Sequence, residues 1–167
     1  MAVETYLGIG TNLGDRKANI LRALKMLDAA LGVQSTALSP LFESEPWGFS
    51  SPDRFLNCAV RYDTDMGPHE ILEICKDIEA RMGRNVAAPE FDGNGRRIYR
   101  SRIIDIDILL YGQGRISLPD LAIPHPLMRE RDFVMVPLSA IVSDDTRLSF
   151  PEIFAEDGRK ALLGRRL

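Results

Sequence analysis

The sequence has few cysteines, no excess of positive charge and no long apolar run. Its two cysteines, Cys58 and Cys75, lie in a strand-like and a helix-like segment. We therefore predict two buried thiols rather than a disulfide or a metal pair, as is usual in a reducing compartment. The net charge of -3 excludes a general attraction to nucleic acid or to anionic membranes, so any anion site must be local.

The sequence also shows no pattern typical of a transmembrane helix or a signal peptide. No apolar run approaches the roughly 18 residues that indicate a transmembrane helix. The first residues carry Glu4 and no basic stretch leading into an apolar segment, which is not the pattern of a signal peptide. We therefore expect a cytoplasmic protein.

Length and composition predict one ordinary globular domain. A chain of 167 residues can bury on the order of 70% of its unfolded surface. The hydrophobic content of 45% and charged content of 27% are typical of soluble domains. Since no repeat, low-complexity tract or linker divides the chain, we predict a single domain over residues 1–167, with a polar tail from Glu156.

Periodicity predicts the elements of the first half of the chain. Residues 3–9 form a strand-like run that ends in a turn at 10–14, where glycines permit tight backbone turns. The glycine order matches neither a dinucleotide fingerprint nor a phosphate loop. Asp15 is placed to cap a helix that runs to about Leu31, and residues 33–42 are predicted to form a second strand.

The middle of the chain predicts a strand, a helix and two loops. Residues 55–62 alternate as a strand, with Phe55, Asn57 and Ala59 on one face. A helix opens at Gly67-Pro68 and ends before Gly83. Residues 44–52 are a loop by their Pro, Gly and Ser content. Residues 84–101 form a longer loop, which fits either a lid over a site or a disordered insertion.

The last third predicts shorter elements. A turn at 112–114 precedes a short strand at 115–118, and a stiff bend is expected at 123–126. Residues 133–141 are predicted to be helical although Pro137 interrupts them. Two helices among mostly sequential strands indicate an α+β fold in which helices pack on a largely antiparallel sheet.

Two aspartates stand out in the apolar segment 102–111. Side chains alternate along a strand, so Asp105 and Asp107 share one face, with Cα atoms roughly 6.6 to 7 Å apart. We expect the opposite face to carry the apolar side chains of Ile104, Ile106, Ile108 and Leu110. A half-exposed strand with an acidic outer face has the same pattern, but a buried carboxylate needs a cationic partner or a metal.

Basic residues surround this pair. Four arginines lie within residues 96–102, and His125 and Arg131 follow the strand. Carboxylates hold hard cations, while guanidinium groups bind phosphate oxygens in pairs. The combination favours a site for magnesium and phosphate.

Two other classes of function fit the same residues. A metal-dependent phosphohydrolase would use the Asp pair with a positioned water and release phosphate. A non-catalytic nucleotide- or RNA-binding protein would use the arginines at 96–102 with stacking aromatic rings. The acidic total charge and the adjacent Asp pair disfavour the second class.

Four motifs occur together in a fixed order. They are Gly8-x-Gly-Thr-Asn-Leu-Gly-Asp15, Phe55-Leu-Asn57, Arg102-x-x-Asp105-x-Asp107-Ile-Leu-Leu-Tyr-Gly112, and Pro124-His125-Pro-x-Met-x-x-Arg131-x-Phe133-Val-x-Val-Pro-Leu138. Over about residues 6–141 the chain resembles the 6-hydroxymethyl-7,8-dihydropterin pyrophosphokinase family of folate biosynthesis. The resemblance implies a ferredoxin-like α+β core and transfer of pyrophosphate from ATP to the pterin hydroxymethyl group, releasing AMP.

The resemblance also implies roles for individual residues. Asp105 and Asp107 are expected to hold two Mg²⁺ ions and to form the catalytic group with Arg102 and Arg84. The residues expected at the ATP site are Lys76, Glu79, Tyr99, Arg102, Ile108, His125 and Arg131. Those expected at the pterin site are Ser44, Glu45, Trp47, Phe55, Asn57 and Phe133.

The resemblance has local departures. Tyr99 stands where the family commonly has a tryptophan, so we expect weaker stacking at that point. Glu45 replaces a residue that is usually neutral, and the loop at 84–101 is longer than in the shorter family members. The expected partners are ATP and the pterin, with no nucleic acid or membrane, and the protein is expected to act as a monomer.

Overall fold

The structure is a computed structural model that describes residues 1–45, 53–83, 91–96 and 103–154. Within these ranges five strands form one antiparallel sheet. The strands are β1 (Val3–Thr11), β2 (Ala37–Leu38), β3 (Phe42–Ser44), β4 (Phe55–Thr64) and β5 (Asp105–Tyr111). Their order is β2-β4-β1-β5, with β3 also paired to β4. The long central strands β1 and β4 therefore hold the sheet together, and β5 lies at one edge of the described sheet.

The helices begin and end where the sequence signals predict. α1 (Arg16–Leu31) begins after Asp15, whose side chain accepts a hydrogen bond from the Ala18 amide, and it ends at Gly32 in the left-handed region, with φ of 70°. α2 (Pro68–Arg81) has Pro68 in its first turn, a position where the missing N–H costs nothing. α3 (Asp132–Ile141) continues through Pro137. The three predicted helices are thus confirmed.

The sheet carries an apolar core on each face. On the lower face, α1 and α2 cover side chains of β1, β4 and β5, including Leu7, Val60 and Ile106. On the upper face, α3 and the C-terminal helices cover a second group that includes Tyr6 and Leu110. The chain order β1-α1-β2/β3-β4-α2-β5, with α1 and α2 on one face of the antiparallel sheet, is the ferredoxin-like α+β core that the sequence predicted. The helices on the upper face add a further layer.

Two strand predictions near the start of the chain were wrong. The predicted strand at 33–42 is divided into β2 and β3, because the intervening Pro40 has no amide to donate to a ladder. Ser39 replaces part of that ladder, since its hydroxyl accepts from the amide of Ala59 at 2.8 Å. Gly10 was predicted to lie in a turn, but β1 extends to Thr11, and Gly14 is the turn residue with positive φ, 67°.

The prediction that Leu110 shares a face with Ile108 was also wrong. The register between β1 and β5 shifts at Tyr6 and Leu7, so Leu7 pairs with Ile108 and Tyr6 pairs with Leu110. A β-bulge of this kind inserts one residue and reverses the alternation beyond it. Leu109 and Leu110 consequently both pack in the upper core, while Asp105 and Asp107 keep the shared face that was predicted.

The C-terminal third contains the short strand predicted at 115–118 and adds elements that the sequence analysis did not predict. A hairpin joins β6 (Ile116–Leu118) to β7 (Leu121–Ile123), and a 3-10 helix spans Met128–Glu130. Two short helices follow α3, namely α4 (Asp144–Ser149) and α5 (Pro151–Phe154). The predicted bend at 123–126 contains a cis bond between Ile123 and Pro124.

A polar cluster attaches this last segment to the first strand. Glu4 Oε2 accepts hydrogen bonds from the hydroxyls of Ser143 and Thr146, each at 2.7 Å. Its Oε1 lies 3.1 Å from a guanidinium nitrogen of Arg61. Partial burial raises the pKa of Glu4, but the hydrogen bonds from Thr146 and Ser143 and the charge of Arg61 outweigh it and leave the pKa below its usual value.

Both cysteines are buried and free, as predicted. Burial raises the pKa of each thiol to about 12, so both are protonated at neutral pH and neither acts as a thiolate. None of the helices in the described ranges is long and apolar enough to cross a membrane.

Candidate active site

The candidate site is built on rows of residues that run across three strands. Gly10 of β1 pairs with Asn57 of β4 on one side and with Asp105 of β5 on the other. Two residues earlier, Gly8 pairs with Ala59 and with Asp107. Because paired residues of an antiparallel sheet point to the same face, the amide of Asn57 and both carboxylates project from the upper face. Two glycines lie between them.

The glycines leave a gap that neighbouring side chains enter. A Cβ atom added to Gly10 would lie 2.8 Å from Oδ1 of Asn57, and one added to Gly8 would lie 3.3 Å from Cδ1 of Leu109. A Cβ on Gly10 would also come within 3.7 Å of the Phe55 ring. Glycine in a strand interior is otherwise unfavourable and commonly marks a close approach of this kind.

Hydrogen bonds to β3 hold the Asn57 side chain. Its Nδ2 donates to the carbonyl oxygen of Phe42 at 3.3 Å and to Oγ of Ser44 at 2.9 Å. The side chain is buried, with Asn57 only 4% exposed. Both amide hydrogens are thus committed to the protein, and Oδ1 is the acceptor that Asn57 presents above Gly10.

The Asp pair lies at the outer edge of the sheet. Asp105 and Asp107 are partly exposed, whereas Ile106 between them is buried. The amide of Ile106 donates to Oε2 of Glu79 at 3.4 Å, so α2 supports the backbone of β5 from below. Glu79 is itself buried, and Lys76 on the same helix is exposed.

The charges of the two carboxylates also act on α2. Burial is the main reason for the raised pKa of Cys75 on α2, and the charges of Asp107 and Asp105 raise it further. No group of three or more His, Cys, Asp or Glu side chains suited to a metal occurs in the ranges that the structure describes. Two carboxylates nevertheless fit Mg²⁺, which keeps several waters and takes its remaining ligands from substrate phosphates.

His125 follows β7 and lies beside β5. Its amide donates to the carbonyl of Leu109 at 3.1 Å, which fixes the bend beside β5. The Nδ1 atom accepts from the Leu127 amide at 3.4 Å. In the neutral ring this bond favours the tautomer with its proton on Nε2, so Nε2 is a donor suited to an anionic oxygen.

Arg131 and Phe133 enter the site at the start of α3. That helix packs on the upper face, where Phe133 joins the edge of the apolar core. The Arg131 guanidinium lies 5.8 Å from the centroid of the Phe133 ring, a cation–π distance. α3 therefore places an aromatic ring and a cation on the same face as Phe55 and Asn57.

Ion pairs brace β3 and the start of β4 on the lower face. Glu43 lies 3.4 Å from a guanidinium nitrogen of Arg16 and 2.9 Å from one of Arg54. Arg54 also lies 3.1 Å from Glu45, which is exposed. These pairs border a polar cavity of about 390 Å³ lined by Asn12, Leu13, Gly14, Arg16, Glu43, Asp53 and Arg54.

Most of the described residues expected at the site lie around this end of the sheet. Ser44, Phe55, Asn57, Asp105, Asp107 and Phe133 belong to the upper face, with His125 and Arg131 beside them. Ile108 is buried in the lower core, where it pairs with Leu7, and Lys76 and Glu79 lie in the lower helical layer. The expected residues Trp47, Arg84, Tyr99 and Arg102 lie outside the described residues, as does most of the predicted lid loop at 84–101.

The sequence analysis did not identify the part played by Gly8 and Gly10. Gly8 was assigned only to the first strand, and Gly10 to the turn that follows it. Their spacing of two in a strand-like run, which places them on one face, was the signal that could have predicted a gap between the neighbouring strands.

Comparisons with known proteins agree with this architecture. A sequence profile of the family described as 7,8-dihydro-6-hydroxymethylpterin-pyrophosphokinase (HPPK) matches residues 6–143. A crystal structure of the Plasmodium falciparum HPPK-DHPS has a TM-score of 0.61 at 15% identity, covering 91% of this chain and 41% of that chain. This likeness supports the fold, and the chain spans less than half the length of that structure.

Two bacterial relatives match over most of both chains. Both are 2-amino-4-hydroxy-6-hydroxymethyldihydropteridine pyrophosphokinases. The one from Methylorubrum extorquens is 41% identical, over 84% of this chain and 84% of its own. The one from Porphyromonas gingivalis is 44% identical, over 81% of this chain and 88% of its own. The chain therefore belongs to the 7,8-dihydro-6-hydroxymethylpterin-pyrophosphokinase family of ATP-dependent pyrophosphokinases.

Proposed function

We propose that the protein transfers pyrophosphate from ATP to the hydroxymethyl oxygen of 6-hydroxymethyl-7,8-dihydropterin, releases AMP and acts as a single monomeric domain. The observation that carries the proposal is the row Asn57–Gly10–Asp105. It sets a buried amide and a carboxylate on opposite sides of a strand that has no side chain between them. Adjacent strands are about 4.8 Å apart, so a flat bicyclic ring can span this gap.

In this proposal the pterin occupies the β4 side of the row. Phe55 and Phe133 enclose the ring from β4 and α3, where offset stacking adds about 0.5 to 1.5 kcal/mol beyond burial. Oδ1 of Asn57 accepts from an N–H group at the heterocycle edge, since its own amide hydrogens are held by β3. Ser44, Glu45 and Trp47 complete the set proposed to contact that edge.

The hydroxymethyl group then points across Gly10 toward the β5 side. Asp105 and Asp107 are the residues that would hold magnesium there, as a two-ion site with ATP phosphates supplying further oxygen ligands. When bound, such ions neutralise phosphate charge and lower the pKa of the attacking alcohol. The two carboxylates would hold the ions in a fixed position, because the pairing of β5 with β1 and the hydrogen bond to Glu79 fix the backbone of β5.

ATP is proposed to bind along the outer edge of β5. His125 and Arg131 supply donors for the phosphate oxygens, and guanidinium groups bind such oxygens in pairs. Arg84 and Arg102 belong to the same proposed set, with Tyr99 near the nucleotide. The adenine lies near Ile108, Lys76 and Glu79, on the side where α2 meets β5.

We also propose that ATP and magnesium bind first and that the arginine-rich loop at 84–101 then closes over the phosphates. Hydrogen exchange of residues 84–101, with and without a non-hydrolysable ATP analogue and Mg²⁺, tests the closure. Slower exchange with the analogue is expected, and equal exchange would contradict closure.

The test of the proposed reaction separates binding from chemistry. Calorimetry should detect binding of a non-hydrolysable ATP analogue with Mg²⁺ to the wild-type protein, and then binding of the pterin to that complex. When ATP replaces the analogue, chromatography should detect AMP and the pyrophosphorylated pterin in equal amounts. Phosphate release without pterin would instead identify a hydrolase, and an absence of any pterin binding would overturn the assignment.

A further inference from the structure

We infer that Gly10 is a positioning residue for Asn57, and that any side chain at residue 10 lowers the affinity for the pterin by displacing the Asn57 carboxamide. The inference rests on the proposed function, because it takes Asn57 to be a group that contacts the heterocycle. It adds a specificity determinant on β1, a strand that contributes no side chain of its own to the proposed pterin contacts.

The first step of the argument is the space above Gly10. A Cβ on this residue would lie 2.8 Å from Asn57 Oδ1, closer than real Cβ atoms approach a neighbouring atom. Something must therefore move if residue 10 becomes alanine. The Phe55 ring, at 3.7 Å, stays at ordinary contact distance, so the displacement falls on the carboxamide.

The second step is that the carboxamide cannot move without loss. Its Nδ2 is tied to the Phe42 carbonyl at 3.3 Å and to the Ser44 hydroxyl at 2.9 Å. Asn57 is also buried, so rotation away from residue 10 breaks these bonds where water does not replace them. A buried donor left without a partner is costly.

The third step is the comparison with Gly8 on the same strand. Gly8 also lies between two paired residues, Ala59 on β4 and Asp107 on β5. Its added Cβ would meet Cδ1 of Leu109 at 3.3 Å, the far end of a flexible apolar side chain. Leu109 can shift by a few tenths of an ångström without breaking a hydrogen bond, so Gly8→Ala is the matched control.

The row Asn57–Gly10–Asp105 predicts that a side chain at residue 10 affects binding of the pterin and not of ATP. Asn57 lies on the β4 side of Gly10 and Asp105 lies on the β5 side. Displacement of the carboxamide therefore weakens the pterin contact and leaves the proposed phosphate side in place. We expect Gly10→Ala to raise the pterin Kd by about tenfold or more and to leave the Kd of a non-hydrolysable ATP analogue with Mg²⁺ within about twofold.

A double-mutant cycle tests whether the effect passes through Asn57. Pterin binding is measured by calorimetry, in the presence of a saturating non-hydrolysable ATP analogue and Mg²⁺, for the wild type, Gly10→Ala, Asn57→Ala, the double variant and the Gly8→Ala control. If Gly10 acts through the carboxamide, Gly10→Ala changes the Kd by less than about twofold once Asn57 is alanine. The same loss in both backgrounds, or no loss in Gly10→Ala alone, would overturn the inference.

Folding of the variants also decides the question. If Gly10→Ala alone fails to fold, the double variant is expected to fold, because Asn57→Ala removes the atom that the new Cβ meets. Failure of both would locate the conflict elsewhere and overturn the inference. A wild-type protein that does not bind the pterin would overturn the proposed function itself, whereas binding that is lost in Asn57→Ala and kept in Gly10→Ala would overturn only this inference.

Discussion

The two faces of the sheet are formed by the same three strands but differ along their length. On the lower face, the inward side chains of β1, β4 and β5 are mostly apolar, including Leu7, Val60 and Ile106, and the few polar ones, such as Thr5 and Thr11, are buried. On the upper face, the apolar packing of Tyr6 and Leu110 gives way to glycines, an amide and two carboxylates. The lower face is a buried core along these three strands, whereas the upper face is a core for half its length and a candidate site for the rest.

Because of this difference, adjacent residues of one strand can serve different purposes, one for stability and the next for function. Leu7 and Gly8 are neighbours on β1, yet one is fully buried under helices and the other lies in the row of Asp107. Substitutions on the lower face should therefore change the free energy of unfolding, and those that remove or displace the polar side chains at the open end of the upper face should change binding and turnover. The following predictions test that division.

The largest effect is expected from removing a carboxylate at the open end. Asp107→Ala should lower turnover by about a thousandfold or more, equivalent to about 4 kcal/mol. The pterin affinity and the thermal midpoint should change little, because the side chain is partly exposed. Steady-state rates, calorimetry and thermal unfolding check these outcomes, with exposed Asp77→Ala on α2 as the control. Retained turnover in Asp107→Ala would contradict the metal-binding role.

The next largest effect is expected at Leu7, which precedes Gly8 on β1 and faces the lower core. Leu7→Ala should lower the free energy of unfolding by about 3 kcal/mol, since Leu7 is fully buried in the lower core and the change leaves a cavity. The folded variant should bind both substrates as the wild type does. Urea unfolding and calorimetry measure the two quantities. A change in pterin affinity without loss of stability would break the division between the faces.

A smaller effect is expected where core and site meet. Phe133→Leu should raise the pterin Kd by about three- to tenfold, because the stacking ring is lost while most apolar volume is kept. Binding of the ATP analogue should change less than binding of the pterin, because Arg131 loses only its cation–π contact with the ring. Phe133→Tyr keeps the ring and should stay close to the wild type. Equal loss in both variants would show that Phe133 acts through packing of α3 rather than through the ring.

The smallest effect concerns the closed end of the upper face, where Glu4 joins β1 to α4. Its pKa is lowered in the folded protein, so its ionised form contributes stability above the unfolded pKa. That contribution is lost as the pH falls through the folded pKa. Glu4→Gln should therefore cost about 1 kcal/mol at pH 7 and less at about pH 3. Urea unfolding at both pH values measures it, and an equal cost at both would contradict the account.

Local sequence patterns were sufficient to predict the helices and the shared face of Asp105 and Asp107. The caps at Asp15 and Gly67-Pro68 and the strict alternation at Asp105 and Asp107 depend on near neighbours in the chain, so the sequence predicted them. The motif resemblance also predicted the fold and the family. Both conclusions are confirmed by the sheet order and by the matches to relatives.

Features that depend on pairing between distant strands were missed. The bulge that turns Leu110 to the upper core comes from the register of β5 against β1. The close approach of Asn57 to Gly10 likewise requires β4 and β1 to be aligned. The ion pairs of Glu43 with Arg16 and Arg54 join three separate segments. None of these is encoded within a short window of sequence.

The most direct test of the account is AMP formation from ATP and Mg²⁺, measured with and without 6-hydroxymethyl-7,8-dihydropterin, with Asp105→Ala as the inactive comparison. The account predicts AMP only when the pterin is present, together with one pyrophosphorylated pterin for each AMP, and neither product in the variant. Pterin-independent release of phosphate, or full activity in Asp105→Ala, would contradict it.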